Sequence, residues 1–297
     1  MQWQGVIPAI TTPFREDLSV DTDFLAKHVT WQIDSGCTGL VALGSLGEGA
    51  TLETDEKKLV LETCVKAVGS RVPVVAGISS LSTIESVRLA KMAADAGCKG
   101  LMVLPPYVYS TDWREMKSHI ATIIKSTPLS CMLYNNPIAY KTDFLPEHIA
   151  ELAAEFPNFH AVKESSSDVR RIMAIRSLIG DRLKILVGVD DVIVEAIAAG
   201  ASGWIAGLVN AFPKESVVLF ESAKKGLTDE VFRLYSWFLP LLRLVVVPKF
   251  VQMIKLAQAS VNMGNARVRP PRLELVGDEL KTTQTVIQKA LAERPKV

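Results

Sequence analysis

The chain has no long apolar run, no excess of either charge and no cluster of metal ligands, and each gap removes a class of function. No window approaches the ~20 apolar residues of a membrane span. The longest stretch, 237–247, is interrupted by Pro240 and Arg243. Lys plus Arg number 33 against 32 Asp plus Glu, a net charge of +1, so nothing draws the chain electrostatically to nucleic acid or an anionic membrane. The opening Met-Gln-Trp-Gln has no basic stretch, and Pro8 and Pro13 break the apolar residues behind it, which argues against a signal peptide. The four cysteines, Cys37, Cys64, Cys98 and Cys131, form no C-x-x-C pair. They read as free buried thiols of a cytoplasmic protein. His28, His119, His148 and His160 make neither H-x-H nor H-E-x-x-H, so no metal is expected, and no cofactor. No G-x-G-x-x-G follows the first apolar run, which weighs against a doubly wound nucleotide-binding sheet.

What is present is 297 residues, 48% of them hydrophobic, enough for one large core. Short β-rich runs alternate with helical patterns. Strands are predicted in 5–14 (with its loop), 39–44, 72–78, 100–105, 129–134, 159–163, 183–188 and 203–207. Helices are predicted over 21–35, 54–68, 82–96, 112–125, 145–156, 168–179, 191–199 and 214–225, several of them stopped by glycine. Thr54 and Ser82 fit N-caps, and Ser82 with Glu85 matches a capping box. Eight such units, about 28 residues apart, predict a parallel sheet closed into a (β/α)8 TIM barrel over 1–227; an open doubly wound sheet is the alternative. The remainder, 228–297, reads as helices over 229–244, 248–262 and 278–293. It is expected to be a C-terminal helical extension packed on the barrel.

The stretch Phe159-His-Ala-Val-Lys-Glu-Ser-Ser-Ser167 organises the reading. An apolar run delivers Lys163 to the end of a strand. A lysine there gives up hydration, and a neutral amine attacks carbonyls to form an imine. Pairing with Glu164, or exposure where the strand ends, is the plainer alternative. Active sites of α/β barrels lie at the C-terminal ends of the strands. Those ends would carry Gly44-Ser-Leu-Gly-Glu-Gly49, Pro105-Pro-Tyr-Val-Tyr109, Tyr134-Asn-Asn-Pro137, Lys163-Glu164, Gly188-Val-Asp-Asp191 and Ile205-Ala-Gly207. Lys163 and Tyr134 would then sit on adjacent strands at one level, the phenol relaying protons to a carbinolamine. The glycine-rich loop would offer backbone N–H groups to a carboxylate. Asp190 and Asp191 read as helix caps rather than metal ligands.

Together, G-S-L-G-E after the second strand, Y-N-N-P after the fifth and V-K-E at the sixth resemble the dihydrodipicolinate synthase/N-acetylneuraminate lyase family. The resemblance extends from P-A-I-T-T-P-F near the start to V-R-P-P-R-L near the end. It implies a Schiff base between Lys163 and a 2-oxo acid, with Tyr134 as catalytic phenol. It also implies a substrate carboxylate on the N–H groups of Ser45 and Leu46, and a pocket lined by Gly188 and Ile205, with Asn136 and Ala139 beside Tyr134. Ser45 joins Lys163 and Tyr134 as a catalytic candidate. The resemblance further implies a homotetramer, a dimer of dimers, with Tyr107 or Tyr109 near a neighbour's pocket. Three departures bear on substrate. Leu46 stands where the synthases carry a second threonine, Ala139 where they carry a carboxylate-gripping arginine, and Val108 where many members donate a tyrosine. The sparse proton relay favours elimination over condensation, and Ala139, which removes the distal grip, points to a small substrate with one carboxylate. A member resembling 1-pyrroline-4-hydroxy-2-carboxylate deaminase is the leading expectation. The alternatives are a 2-keto-3-deoxy sugar acid aldolase or dehydratase, an N-acetylneuraminate lyase-like aldolase, a 4-hydroxy-tetrahydrodipicolinate synthase, and a non-catalytic ligand-binding barrel.

Overall fold

The computed structural model describes residues 1–107 and 112–297. Eight strands form one sheet: β1 (Gly5–Pro8), β2 (Leu40–Ala42), β3 (Val74–Ile78), β4 (Gly100–Val103), β5 (Ser130–Asn135), β6 (Phe159–Glu164), β7 (Lys184–Val187) and β8 (Gly203–Ala206). Their order is β1-β8-β7-β6-β5-β4-β3-β2, every pairing is parallel, and a single parallel bridge between Ala9 and Val41 joins the ends. The expected (β/α)8 barrel is therefore the fold, and the open sheet is excluded.

Side chains alternate across a strand with a period of two, and the two faces build two cores. Ile7, Val41, Met102, Met132, Ala161 and Leu186 fill the barrel interior. Val6, Leu40, Leu101, Leu133 and Val162 face the ring of helices instead. Burying each such side chain stabilises the fold by about 1.5–3 kcal/mol, so a register slip that exchanged the faces would be heavily penalised. The same alternation decides where the lysine goes. Ala161 points inward and Val162 outward, so Lys163 points inward. Tyr134 shares the inward phase of Met132, and its Cα pairs with that of Lys163 across β5 and β6.

The helical caps are mostly those the sequence suggests. Asp21 and Ser82 accept from the N–H groups of Phe24 and Glu85. Helix Thr54–Val68 differs: Glu53, not Thr54, is its N-cap, and the Glu53 N–H donates to Glu56 Oε2 at 2.9 Å. The expected capping by Asp190 is also corrected, because the side chain is fully buried and turned to β8. The C-terminal helices are Asp229–Leu242, Phe250–Ser260 and Gly277–Ala292. The middle one lays Val251 and Ile254 onto the interior cluster, so it closes part of the barrel's C-terminal mouth. All four cysteines are free and buried. Among the described residues no helix is long and apolar enough to cross a membrane.

Candidate active site

A cavity of about 480 Å³ opens at the C-terminal ends of the strands. Lys163, Tyr134, Ser45 and Leu46 line it, as do Gly188, Ile205, Asn136 and Ala139. Eight of the ten expected site residues are thus brought together. Tyr107 is set back from the lining and packs against Tyr140, ring centroids 5.8 Å apart. Tyr109 and Val108 lie outside the described residues.

Lys163 is 6% exposed, and its Nζ stands 3.7 Å from the centroid of the Tyr134 ring. The pairing with Glu164 does not occur. Glu164 takes the opposite phase of β6 and accepts from Asn135 Nδ2 at 3.1 Å and Ser166 N at 2.7 Å. Burial still pushes the Glu164 carboxyl above its usual range, against those hydrogen bonds. A lysine on an aromatic face gains an electrostatic contact while leaving Nζ open to the cavity. Gly188 makes room for this chain of methylenes. A Cβ there would lie 2.4 Å from Lys163 Cε and 2.1 Å from Ser165 Oγ. Tyr134 is held by Asn136, whose Nδ2 donates to the phenol oxygen at 3.0 Å.

The loop after β2 is a tight wrap around the neighbouring backbone. A Cβ on Gly49 would meet Leu43 O at 2.3 Å, and Glu48 sits at φ 53°. Among the described residues, the N–H groups of Ser45 and Leu46 have no protein acceptor, and both residues line the cavity. Paired, unspent N–H groups are a ready cradle for a carboxylate. Glu48 is the loop's anchor. It is fully buried, with Lys255 Nζ at 2.6 Å and Arg269 N at 3.0 Å.

Four features of the site escaped the sequence reading. Tyr140, at the end of the short helix Pro137–Tyr140, hydrogen-bonds Ser45 Oγ through its hydroxyl and meets the Tyr134 ring edge-on at 5.7 Å. Burial pushes its phenol above the usual tyrosine range, and Tyr134 beside it adds to the effect. Asn136 caps that helix by accepting from Ala139 N, and Pro137 fits its first turn; Asn-Pro was the signal available. Ser165, inward like Lys163, has a buried hydroxyl with no partner among the described residues. Arg272 reaches the cavity from the C-terminal connector, 3.9 Å from Glu48. Asp190, finally, accepts from Trp204 Nε1 at 2.9 Å, Gly207 N at 3.0 Å and Leu208 N at 2.8 Å, which pins the turn after β8. Burial pushes its carboxyl up to about 6 despite those bonds.

A closed parallel barrel with an inward lysine and tyrosine at its C-terminal mouth defines a class of lyase scaffold. The chain matches the Dihydrodipicolinate synthetase family over residues 2–290; it belongs to that family and is an enzyme of its class I, aldolase-type lyase kind. The 4-hydroxy-tetrahydrodipicolinate synthase of Bartonella bacilliformis is 33% identical over 288 residues, spanning 97% of each chain. The synthase of Rhizobium meliloti is 34% identical over 271 residues, 91% of this chain and 92% of that one. Among solved structures, dihydrodipicolinate synthase from Bacillus anthracis superposes with a TM-score of 0.93 at 28% identity, covering 97% of this chain and 98% of the other. The chloride-inhibited enzyme of Acinetobacter baumannii, complexed with pyruvate, superposes at 0.92 with 26% identity over 97% and 98%.

Proposed function

We propose that the protein is a Schiff-base deaminase and dehydratase of a 4-hydroxylated 2-oxo or cyclic 2-imino acid, with 1-pyrroline-4-hydroxy-2-carboxylate as its substrate. The observation that carries this is the buried Lys163, open to the cavity beside Tyr134. In this reading the substrate carboxylate rests on the N–H groups of Ser45 and Leu46. Lys163 attacks C2, and the ring nitrogen leaves as an amine, so the ring opens without loss of atoms. The iminium acidifies C3. Loss of the C3 proton and the C4 hydroxyl releases one water; proton shifts then carry the C3–C4 double bond to C5 as a second imine, and hydrolysis of the two imines consumes two waters. The balance is substrate plus water giving a five-carbon 2,5-dioxo acid and ammonia. The orphan Ser165 hydroxyl supports a hydroxylated substrate, because a buried O–H without a partner costs about 1–3 kcal/mol until one arrives.

A second reading rests on Arg272. The expectation of one carboxylate was drawn from Ala139 alone, and Arg272 brings a guanidinium to the cavity by another route. That favours a partner substrate with a distal carboxylate, as in 4-hydroxy-tetrahydrodipicolinate synthase, the name its relatives carry. A homotetramer, cytoplasmic in location, fits either reading.

A substrate panel with borohydride trapping decides between them. The panel comprises 1-pyrroline-4-hydroxy-2-carboxylate, 2-keto-3-deoxy sugar acids, N-acetylneuraminate, and pyruvate with aspartate semialdehyde. We expect ammonia from the first and covalent capture at Lys163, lost in Lys163→Ala. Pyruvate release from sugar acids or N-acetylneuraminate would make the enzyme an aldolase. Rapid condensation with aspartate semialdehyde would establish the synthase, and ligand binding without capture or turnover a non-catalytic barrel.

A further inference from the structure

We propose that Tyr140 is the general acid that protonates the departing C4 hydroxyl, with Ser45 as the donor that orients and recharges it, both supplied by the same chain as Lys163. The inference rests on the elimination reading above and assigns the proton transfer to the leaving oxygen, which that reading leaves without an owner.

Three placements carry it. Tyr134 is committed to the imine end, since Lys163 Nζ sits on its ring and Asn136 holds its phenol oxygen. Tyr140 lines the same cavity, edge-on to Tyr134 at 5.7 Å and 5.8 Å from the ring of Tyr107, with no hydrogen bond to Lys163 among the described residues. It is therefore the phenol left over for substrate atoms beyond C2. Its hydroxyl touches Ser45 Oγ, on the loop whose N–H groups are open to the carboxylate. A phenol and a serine hydroxyl have one proton each. When Ser45 donates to Tyr140, the Tyr140 proton is free for a third oxygen, and the cavity is where that oxygen would be. Pushed above the usual tyrosine range by burial, the phenol stays protonated through neutral pH, as an acid must.

The step balances within the site. Water at the open mouth takes the C3 proton of the iminium, which leaves an enamine. Its electron pair forms the C3–C4 double bond while the C4–O bond breaks, and the oxygen leaves with that bond's electrons. Tyr140 gives its proton to the oxygen, which departs as water. The resulting phenolate is held by Ser45 Oγ–H and is reprotonated with the proton lost from C3, by way of solvent at the open mouth.

A leaving group that needs no proton separates this role from a structural one. The full-length enzyme and Tyr140→Phe are compared on 1-pyrroline-4-hydroxy-2-carboxylate and on its 4-chloro analogue, with the non-enzymatic chloride release subtracted. For Tyr140→Phe we expect kcat on the hydroxyl substrate to fall roughly 10²–10⁴-fold with KM nearly unchanged. Chloride release should stay within about threefold, and pyruvate should still be captured by borohydride at Lys163. Ser45→Ala should show the same pattern in weaker form, which provides a second test should the first variant fold poorly. Equal losses on both substrates would overturn the assignment, as would undiminished turnover of the hydroxyl substrate by Tyr140→Phe. If the unmodified enzyme eliminates from neither substrate, the elimination reading falls and takes Tyr140 with it.

Discussion

Lys255 and Glu48 form an ion pair that is 2% and 0% exposed, and the cost of breaking it can be worked from its contacts. Each ammonium proton has a destination: Glu48 Oε1 at 2.6 Å, Arg267 O at 2.7 Å and the face of Phe14, 4.3 Å from its centroid. The other carboxylate oxygen accepts from Arg269 N at 3.0 Å. Burial pulls Lys255 down to about 8, against the attraction of Glu48, so at pH 7 the ammonium keeps its proton. Lys255→Met keeps most of the volume but leaves a buried carboxylate and a buried carbonyl without their partner, a loss of roughly 3–5 kcal/mol. For a chain of this size that is a fall in Tm of roughly 5–8 °C. Glu48→Gln should cost a similar amount, leaving the ammonium beside Arg272. The double variant removes both charges, so it should lose at least about 2 kcal/mol less than the sum of the singles. Thermal or urea unfolding of the four proteins at pH 7 provides the cycle. Single variants within about 1 kcal/mol of the parent, or a strictly additive cycle, would refute the view that this pair fixes the Ser45 loop to the C-terminal helices.

Two further outcomes follow from the geometry. Gly188→Ala places a methyl 2.4 Å from Lys163 Cε; the crowding should destabilise by about 1–3 kcal/mol and slow borohydride capture at Lys163 at least ~10-fold, as a misplaced reacting group does, and capture at the parent rate would show the lysine is not confined there. His28 is buried, with Nε2 2.9 Å from Asn210 Oδ1, and burial lowers its pKa from 6.5 to about 4. Between those values the unfolded chain binds a proton that the folded one does not, so stability should be flat above pH 6.5 and fall by up to about 3 kcal/mol on acidification toward pH 4. His28→Gln should lose that part of the slope, and urea midpoints at pH 7.5 and 5 that drop equally in both proteins would contradict it.

The barrel was legible because it repeats. Eight apolar runs, each followed by a crossover, leave few topologies, and the strand ends put Lys163 and Tyr134 at one level on adjacent strands; Gly188 and Ile205 came only from the family resemblance. What was not legible depends on contacts far along the chain. The doublet Asp190-Asp191 looks like a helix cap because caps are local. Asp190 is instead claimed by Trp204, Gly207 and Leu208 across the β7–β8 corner, and no local pattern announces that. Arg272 has the same character. It is carried to the cavity by a connector whose course is set by Arg269 on Glu56, 2.6 Å apart, and by Lys255 on Glu48.

Tyr140 shows why the placement of Lys163 and Tyr134 was readable and the rest of the cavity was not. Lys163 and Tyr134 are strand residues, so their direction follows from counting. Tyr140 lies six positions beyond Tyr134, past the end of β5, and a residue there can face anywhere. Its direction is decided by Asn136, which caps a four-residue helix with its Oδ1 and steadies Tyr134 with its Nδ2. One side chain thereby fixes both phenols. Where the residues at Leu46 and Val108 made the relay look sparse against the family's hydroxyl groups, the cavity holds a further phenol from this chain, on the loop where Ala139 stands in place of the family's arginine. The strands set where Lys163 and Tyr134 stand, and the loop after β5, together with the connector that brings in Arg272, sets the rest of the cavity wall.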